Sequence, residues 1–384
     1  MRSIFTLMLL ALCSMPVSAK TVISFFYAEL IVDKGPVLSN ILPPPADQGL
    51  RGAELAVTDS NTTGRFLGQE YLLKSVSTED EAELLMQIQS SYDAGERLFI
   101  IDAPSASLRR IASTLAPDAL IFNVSNPDDA LRLQQCSANL FHTYPSRAML
   151  SDALVQWLKA KRMDEVLLIR GQREGDEAYA TAVQRSGQRF GVEIVEELVW
   201  DFDTDLRRAA QRELPLFTQT DEYDFVIVAD EVGDFGEYVP FNTWYPRPVG
   251  GTQGLITTGW HRVVEQWGAA QLQSRFEKLT GRWMNAQDYA AWAAVRSVAE
   301  AVTRSQSAEP SVIRNFMRAA DFELAAFKGR PLSYRAWNQQ LRQPIALIHP
   351  RALVSMSPQE GFLHPRNELD TLGYDEPESE CRLN

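Results

Sequence analysis

Cysteine is scarce, with three in 384 residues. Histidine is hardly commoner. His142, His261, His349 and His364 lie far apart and without metal-ligand spacing, so each reads as a structural or exposed side chain. No G-x-S-x-G elbow, Walker loop or H-E-x-x-H pair is present. The chain therefore offers no motif for a nucleophile, a phosphate cradle or a catalytic zinc. Gly250–Gly251–Thr252–Gln253–Gly254 is glycine-rich, but it does not follow the first strand of a βαβ unit and reads as a turn. Positive charge is also short. There are 37 Lys and Arg against 50 Asp and Glu, a net charge of −13, which argues against nucleic acid and anionic membrane surfaces as partners. Low-complexity segments are missing, and so is any apolar run long enough to span a bilayer. The expectation is a chain with no catalytic residues, no cofactor, no resident metal and no inserted segment, although missing motifs alone do not exclude a site assembled from distant residues.

The first 19 residues have the composition of a secretory signal. Arg2 is the basic start, Ile4–Leu12 the apolar stretch, and Val17–Ser18–Ala19 the small-residue cleavage site. Cys13 follows Leu12, where a lipobox needs a small residue, so a lipid anchor is disfavoured. Removing residues 1–19 leaves 365 of the 384, with a net charge of −14 because Arg2 is the only charge lost. Cys136 and Cys381 remain. In an exported chain, two remaining cysteines are expected to form one disulfide, closing a long loop.

The rest alternates between short apolar runs and amphipathic stretches. Val22–Tyr27, Tyr71–Val76, Arg97–Asp102 and Ala119–Asn123 read as strands, with helices over 48–61, 79–94 and 105–115 between them. Ser146 opens a further helix, and the alternation resumes with strands at 166–170, 193–200 and 223–229. Pro- and Gly-rich residues 238–254 read as a crossing between lobes, followed by helices over 260–280, 286–305 and 311–320. This predicts an α/β protein of two doubly wound, Rossmann-like lobes joined by three crossings. The expected division is 20–143 with 255–328 for the first lobe, 144–254 with 329–365 for the second, and 366–384 as a tail. The crossings are expected near His142–Thr143, Pro246–Gly254 and Gly329.

Ligands of open α/β sheets bind beyond the carboxyl ends of the strands. Three loops qualify. Residues 102–107 (Asp-Ala-Pro-Ser-Ala-Ser) lead into a helix, and Ser105 with free backbone N–H groups suits an anion; an ordinary helix cap is the alternative. Ser125 and Asn126 stand in the same place after the next strand. Residues 230–234 carry Asp230 and Asp234, whose carboxylates could meet an ammonium group or a metal ion; a solvated acidic loop is the alternative. Trp200, Trp244, Tyr245, Trp260 and Trp267 are read as interface packing in preference to a ligand platform.

Residues 49–57 (GLRGAELAV), the Ser125–Asn126–Pro127 loop and the His142–Thr143 crossing resemble the leucine/isoleucine/valine-binding type of periplasmic solute-binding protein, type I. More narrowly, GTQGLITTGWHRVVEQWGAAQLQSRF, FKGRPLSYRAWNQQLRQPI and NELDTLGYDEPESECR are similar to the subgroup associated with PQQ-dependent alcohol catabolism. The resemblance implies a monomeric periplasmic protein that closes two lobes on a small solute and serves an ABC-transporter permease. It also implies that Ser105 and Ser125 face a ligand carboxylate and Asp234 an ammonium group. Two departures count against an amino-acid ligand. Ser146–Leu150 replaces the family's D-x-x-Q-G, and Glu174–Gly175–Asp176 stands where a Tyr-Gly pair is usual. Capture of a lanthanide or calcium ion, with Glu174, Asp176, Asp230, Glu231 and Asp234 as oxygen donors, is a second reading. A sensor that does not transport is a third.

Overall fold

The structure is a computed structural model that describes residues 20–33, 35, 42–201 and 206–383. The expected signal segment lies outside the described residues.

Two sheets organise the chain. The first is built from β1 (Thr21–Leu30), β2 (Gln69–Thr78), β3 (Leu98–Asp102), β4 (Leu120–Asn123) and β5 (Leu140–His142), all parallel, in the order β2-β1-β3-β4-β5. Between them run α1 (Leu50–Leu67), α2 (Glu81–Asp93) and α3 (Ser105–Thr114). Central strands buried on both faces need near-continuous apolar sequence, and Leu98–Ile101 and Leu120–Phe122 supply it. The second lobe begins with α4 (Arg147–Ala160), β6 (Glu165–Arg170), α5 (Glu174–Phe190), β7 (Glu193–Val199), α6 (Leu206–Phe217) and β8 (Phe225–Ala229). It continues with β9 (Val249–Gly251) and β10 (Leu255–Thr258). Helices α7 (Ala269–Thr280), α8 (Ala286–Ser305) and α9 (Pro310–Arg318) then cover the first lobe, and α8 packs along α1. β11 (Ser333–Tyr334) and β12 (Leu341–Arg342) pair with each other. β13 (Ile345–His349) and β14 (Ala352–Ser357) complete the second sheet, ordered β14-β13-β10-β9-β8-β6-β7. No helix among the described residues is long and apolar enough to cross a membrane.

The alternating pattern thus reads correctly as two α/β lobes, but two boundaries move. β10 was expected in the first lobe, yet it pairs with β9 and β13 in the second sheet. The chain returns only after Thr258. The helix expected from Trp260 starts at Ala269, because Trp267 and Gly268 both take positive φ, 55° and 82°, which an α-helix cannot contain. The third crossing lies at Gln343–Pro344, between β12 and β13, not at Gly329. Gln340, just before it, still bridges to His142 at the edge of the first sheet.

The crossings meet at Gln343. Its amide donates to the Thr143 carbonyl at 2.8 Å and accepts from the buried Lys328 Nζ at 2.6 Å. Gly259 of the second crossing packs against Pro145 and the same amide. Lys328 also donates to the Pro344 carbonyl and sits over the Tyr289 ring. Burial holds its pKa well below the usual lysine range.

The tail is pinned at several points. Cys136 and Cys381 are bonded, as expected from the sequence, across 245 residues. Asp370 sits between Arg335 and Arg342, and the Gly373 N–H donates to Asp152 on α4.

Candidate functional site

A cavity of about 970 Å³ opens where the carboxyl ends of β1, β3 and β4 face β10 and β13 of the other sheet. This lies at the upper end of the range usual for small-molecule sites, about 300–1,000 Å³. The order 2-1-3-4-5 has its topological switch between β1 and β3, where loops diverge and leave a crevice. Glu29 and Asp102 stand at that switch, directly opposite each other in the β1–β3 register, and both line the cavity. Asp102 accepts from the Gln287 amide, and Glu29 accepts from the Ser77 hydroxyl at 2.7 Å. Burial pushes the Glu29 carboxyl above the usual carboxylate range, the Ser77 bond opposes this, and the charge of Asp102 adds to it.

The other walls are aromatic and apolar. Trp260 is buried and stacks on Tyr289, with centroids 4.6 Å apart. Trp283 is half exposed and carries Arg262 over its face. Ile31, Val32 and residues 43–45 form a lip, while Ile256, Thr258 and Ile348 come from the second lobe. His261 is held below the usual imidazole range, first by burial and then by Arg262. Tyr144, at the first crossing, has its phenol pushed up to about 12, chiefly by burial and then by Glu231.

The residues expected from sequence fall into two groups. Ser125 and Asn126 line the cavity. Their backbone N–H groups are already taken, however: both donate to Asn123 Oδ1, at 3.3 and 2.9 Å. Asn123 is fully buried, and its amide also reaches the Asn126 carbonyl and His142. The Asn126 side chain holds the loop as well, accepting from Ser105 and from the Asp128 N–H. Ser105 does not line the cavity, and its hydroxyl donates to Asp128 Oδ2 at 2.6 Å. The expected carboxylate cradle is therefore partly taken up by the protein's own side chains, while the first turn of α3 has no side-chain cap.

Asp230 and Asp234 lie at the matching switch of the second sheet, between β6 and β8, but neither lines the cavity. The Asp230 carboxylate is buried and accepts from four consecutive N–H groups, Gly233 to Gly236, at 2.6–2.9 Å. With its lone pairs so used, it shapes the loop and does not reach a solute. Asp234 forms a two-pronged pair with Arg173. Glu231 is paired likewise with Arg147, and Asp176 accepts from the Glu231 and Arg173 N–H groups. Burial first and the nearby Asp230 charge push the Asp176 carboxyl up to about 6. These bonds disperse the oxygen donors proposed for a metal. Among the described residues no cluster of three or more His, Cys, Asp or Glu side chains could hold an ion.

Asp230→Ala is expected to destabilise the protein by about 3 kcal/mol, since it strands several buried N–H donors. Chemical denaturation measures this. Asp234→Ala should cost under about 1 kcal/mol, because the pair with Arg173 is solvent-exposed, and should leave solute affinity unchanged. A large affinity loss in calorimetry would return Asp234 to the site.

Sequence reading missed Glu29, Trp283, Gln287 and Arg262. The one available signal was Glu29 itself, an acid at the end of the apolar run Ile23–Ala28. Of the five aromatic residues read as packing, Trp200 and Trp260 are buried, and Trp260 also faces the cavity. Trp244 and Trp267 are about half exposed.

No protein-family model and no curated protein matches the sequence. Solved structures do match in shape. A branched-chain amino acid ABC transporter periplasmic ligand-binding protein from Burkholderia xenovorans superposes with a TM-score of 0.74 at 14% identity, covering 94% of this chain and 99% of its own. An ABC transporter substrate-binding protein from Desulfitobacterium hafniense in complex with Leu gives 0.66 at 16% identity, over 88% of this chain and all of the other. A solute-binding protein from R. palustris in complex with benzoate gives 0.63 at 13%, over 88% and 98%. The chain has the two-lobed α/β fold of the type I periplasmic binding proteins.

Proposed function

We propose that this chain is a periplasmic solute-binding protein that closes its two lobes on one small solute and passes it to an ABC-transporter permease. The cavity between the strand ends of the two sheets is the observation that carries this reading, because it unites the switch point of one sheet with crossings that can flex. The expected signal segment supports export. The similarity of residues 251–276, 327–345 and 367–382 to the subgroup tied to PQQ-dependent alcohol catabolism supports that metabolic setting. Binding without catalysis is the expected activity, by a monomer. The dispersed carboxylates of the second lobe weigh against capture of a metal ion. Growth on alcohols with the permease deleted separates transport from sensing.

Trp260 and Trp283 make the proposal testable by intrinsic fluorescence. Ligand-free protein titrated with the small-molecule fraction of its own cells should show a saturable change. A Trp283→Phe variant should lose part of it. No change in either protein would count against a solute site here.

A further inference from the structure

We infer that residues 373–381 form a strap between the lobes, seated on the second at one end and bonded covalently to the first at the other, which limits how far the cleft opens. This goes beyond the solute-binding reading and does not depend on the identity of the solute.

One anchor is the second lobe. Leu372 is fully buried in one apolar cluster with Met149, Leu154 and Val155 of α4. The Gly373 N–H donates to Asp152 at 2.7 Å, and the Gly373 carbonyl accepts from Arg185 and Arg189 of α5. Arg185 also lies over the Tyr374 ring, 3.9 Å from its centroid, and pairs with Glu378. The other anchor is the first lobe, where Cys381 bonds to Cys136. Cys136 precedes β5, so it stands at the end of that strand opposite the first crossing. Its loop is held to the first lobe: the Asn139 amide donates to the Ala112 carbonyl on α3, and the Gln339 amide to the Ser137 and Leu140 carbonyls.

The strap has little slack. Fully extended, the chain from Gly373 to Cys381 could span about 27 Å, but a short turn at Glu376–Glu378 takes up part of that length. The turn is closed on itself: Asp375 accepts from the Glu376 N–H, and Glu378 accepts from the Asp375 N–H, each at 2.7 Å. Widening the lobes must first undo these bonds and the Arg185–Glu378 pair. Upstream, Asp370 ties the tail to Arg335 and Arg342 of the β11–β12 hairpin. That hairpin belongs to the first lobe through Tyr334, which packs edge-on against Phe141 and donates to Ser297 on α8. Arg342 directly precedes the third crossing, so this tie lies beside the hinge and leaves the restraint on opening to the strap. With no solute to hold the lobes together, opening is the movement left for the strap to oppose.

Small-angle X-ray scattering on the full mature chain, freed of solute, tests this. A compact chain of 365 residues has a radius of gyration of about 21 Å, and Cys136→Ser/Cys381→Ser should exceed the wild type by about 0.5 Å or more. Amide exchange at Asp370, Leu372 and Gly373, whose N–H groups are bonded in the seated tail, should stay slow in the variant. Equal radii, or a smaller radius in the variant, would overturn the inference. So would a larger radius with fast exchange at those three positions, because the cystine would then only hold the tail down. If the variant does not fold, the folded wild type is reduced with a phosphine, both cysteines being partly exposed, and the same readings decide. No solute enters the test, so its failure leaves the solute-binding reading standing.

Discussion

Gly52→Ala should lower the unfolding free energy by about 2 kcal/mol or more, although alanine is the better helix former by about 1 kcal/mol. The reason is a close approach of backbones. A Cβ at Gly52 would lie 1.8 Å from the Asp288 carbonyl oxygen and 2.7 Å from its Cα. Main chain cannot rotate out of the way as a side chain can, so α1 and α8 would have to separate. Their packing is what brings Gln48 and Gln287 to the cleft wall, and Asp288 also anchors the Gly49 N–H and Arg282. Solute affinity should therefore fall along with stability. Denaturant unfolding decides the point; a loss under about 0.5 kcal/mol would mean that the helices adapt freely.

The second large effect is expected at Asp370. Arg335 is buried, and Asp370 supplies its counter-charge at 3.0 Å while also pairing with Arg342. Burial already depresses the Arg335 pKa, which Asp370 partly opposes. Asp370→Ala leaves a buried guanidinium held by the carbonyls of Leu369, Leu372 and Tyr374 and by the Trp337 face, without its paired carboxylate, and should cost about 3–5 kcal/mol. The double change Asp370→Leu/Arg335→Met should recover much of this, because it removes the buried charge instead of stranding it. Failure of the double variant to recover would point to the arginine's carbonyl contacts as the larger contribution. The disulfide should keep the tail nearby in the single variant, so reduction and Asp370→Ala together should be worse than either alone.

The lobes were legible because parallel strands covered on both faces must be apolar throughout: residues 98–101, 120–122 and 225–229 announce themselves. The disulfide was legible because, with residues 1–19 read as a signal, Cys136 and Cys381 have only each other to pair with. The lobe boundaries were less legible. Leu255–Thr258 carries no mark of its sheet, and its place follows from pairing with β9 and β13. The site was least legible. Asp230 and Asp234 lie in a loop at a strand end, and sequence does not reveal that four N–H groups and Arg173 would use them up. Ser125 and Asn126 were placed rightly on the cleft, yet the side chain of Asn123 turns their N–H groups inward. Glu29 and Asp102 become neighbours only through the β1–β3 register, a long-range relation that local pattern does not carry.

Native mass spectrometry of protein taken from its own cells tests the central claim most directly. The account predicts one small organic molecule per chain, lost when Ser125 at the cleft wall is replaced by tryptophan in a protein that stays folded. A molecule retained unchanged by that blocked variant, or a bare chain that never acquires a partner from cell extract, would contradict it.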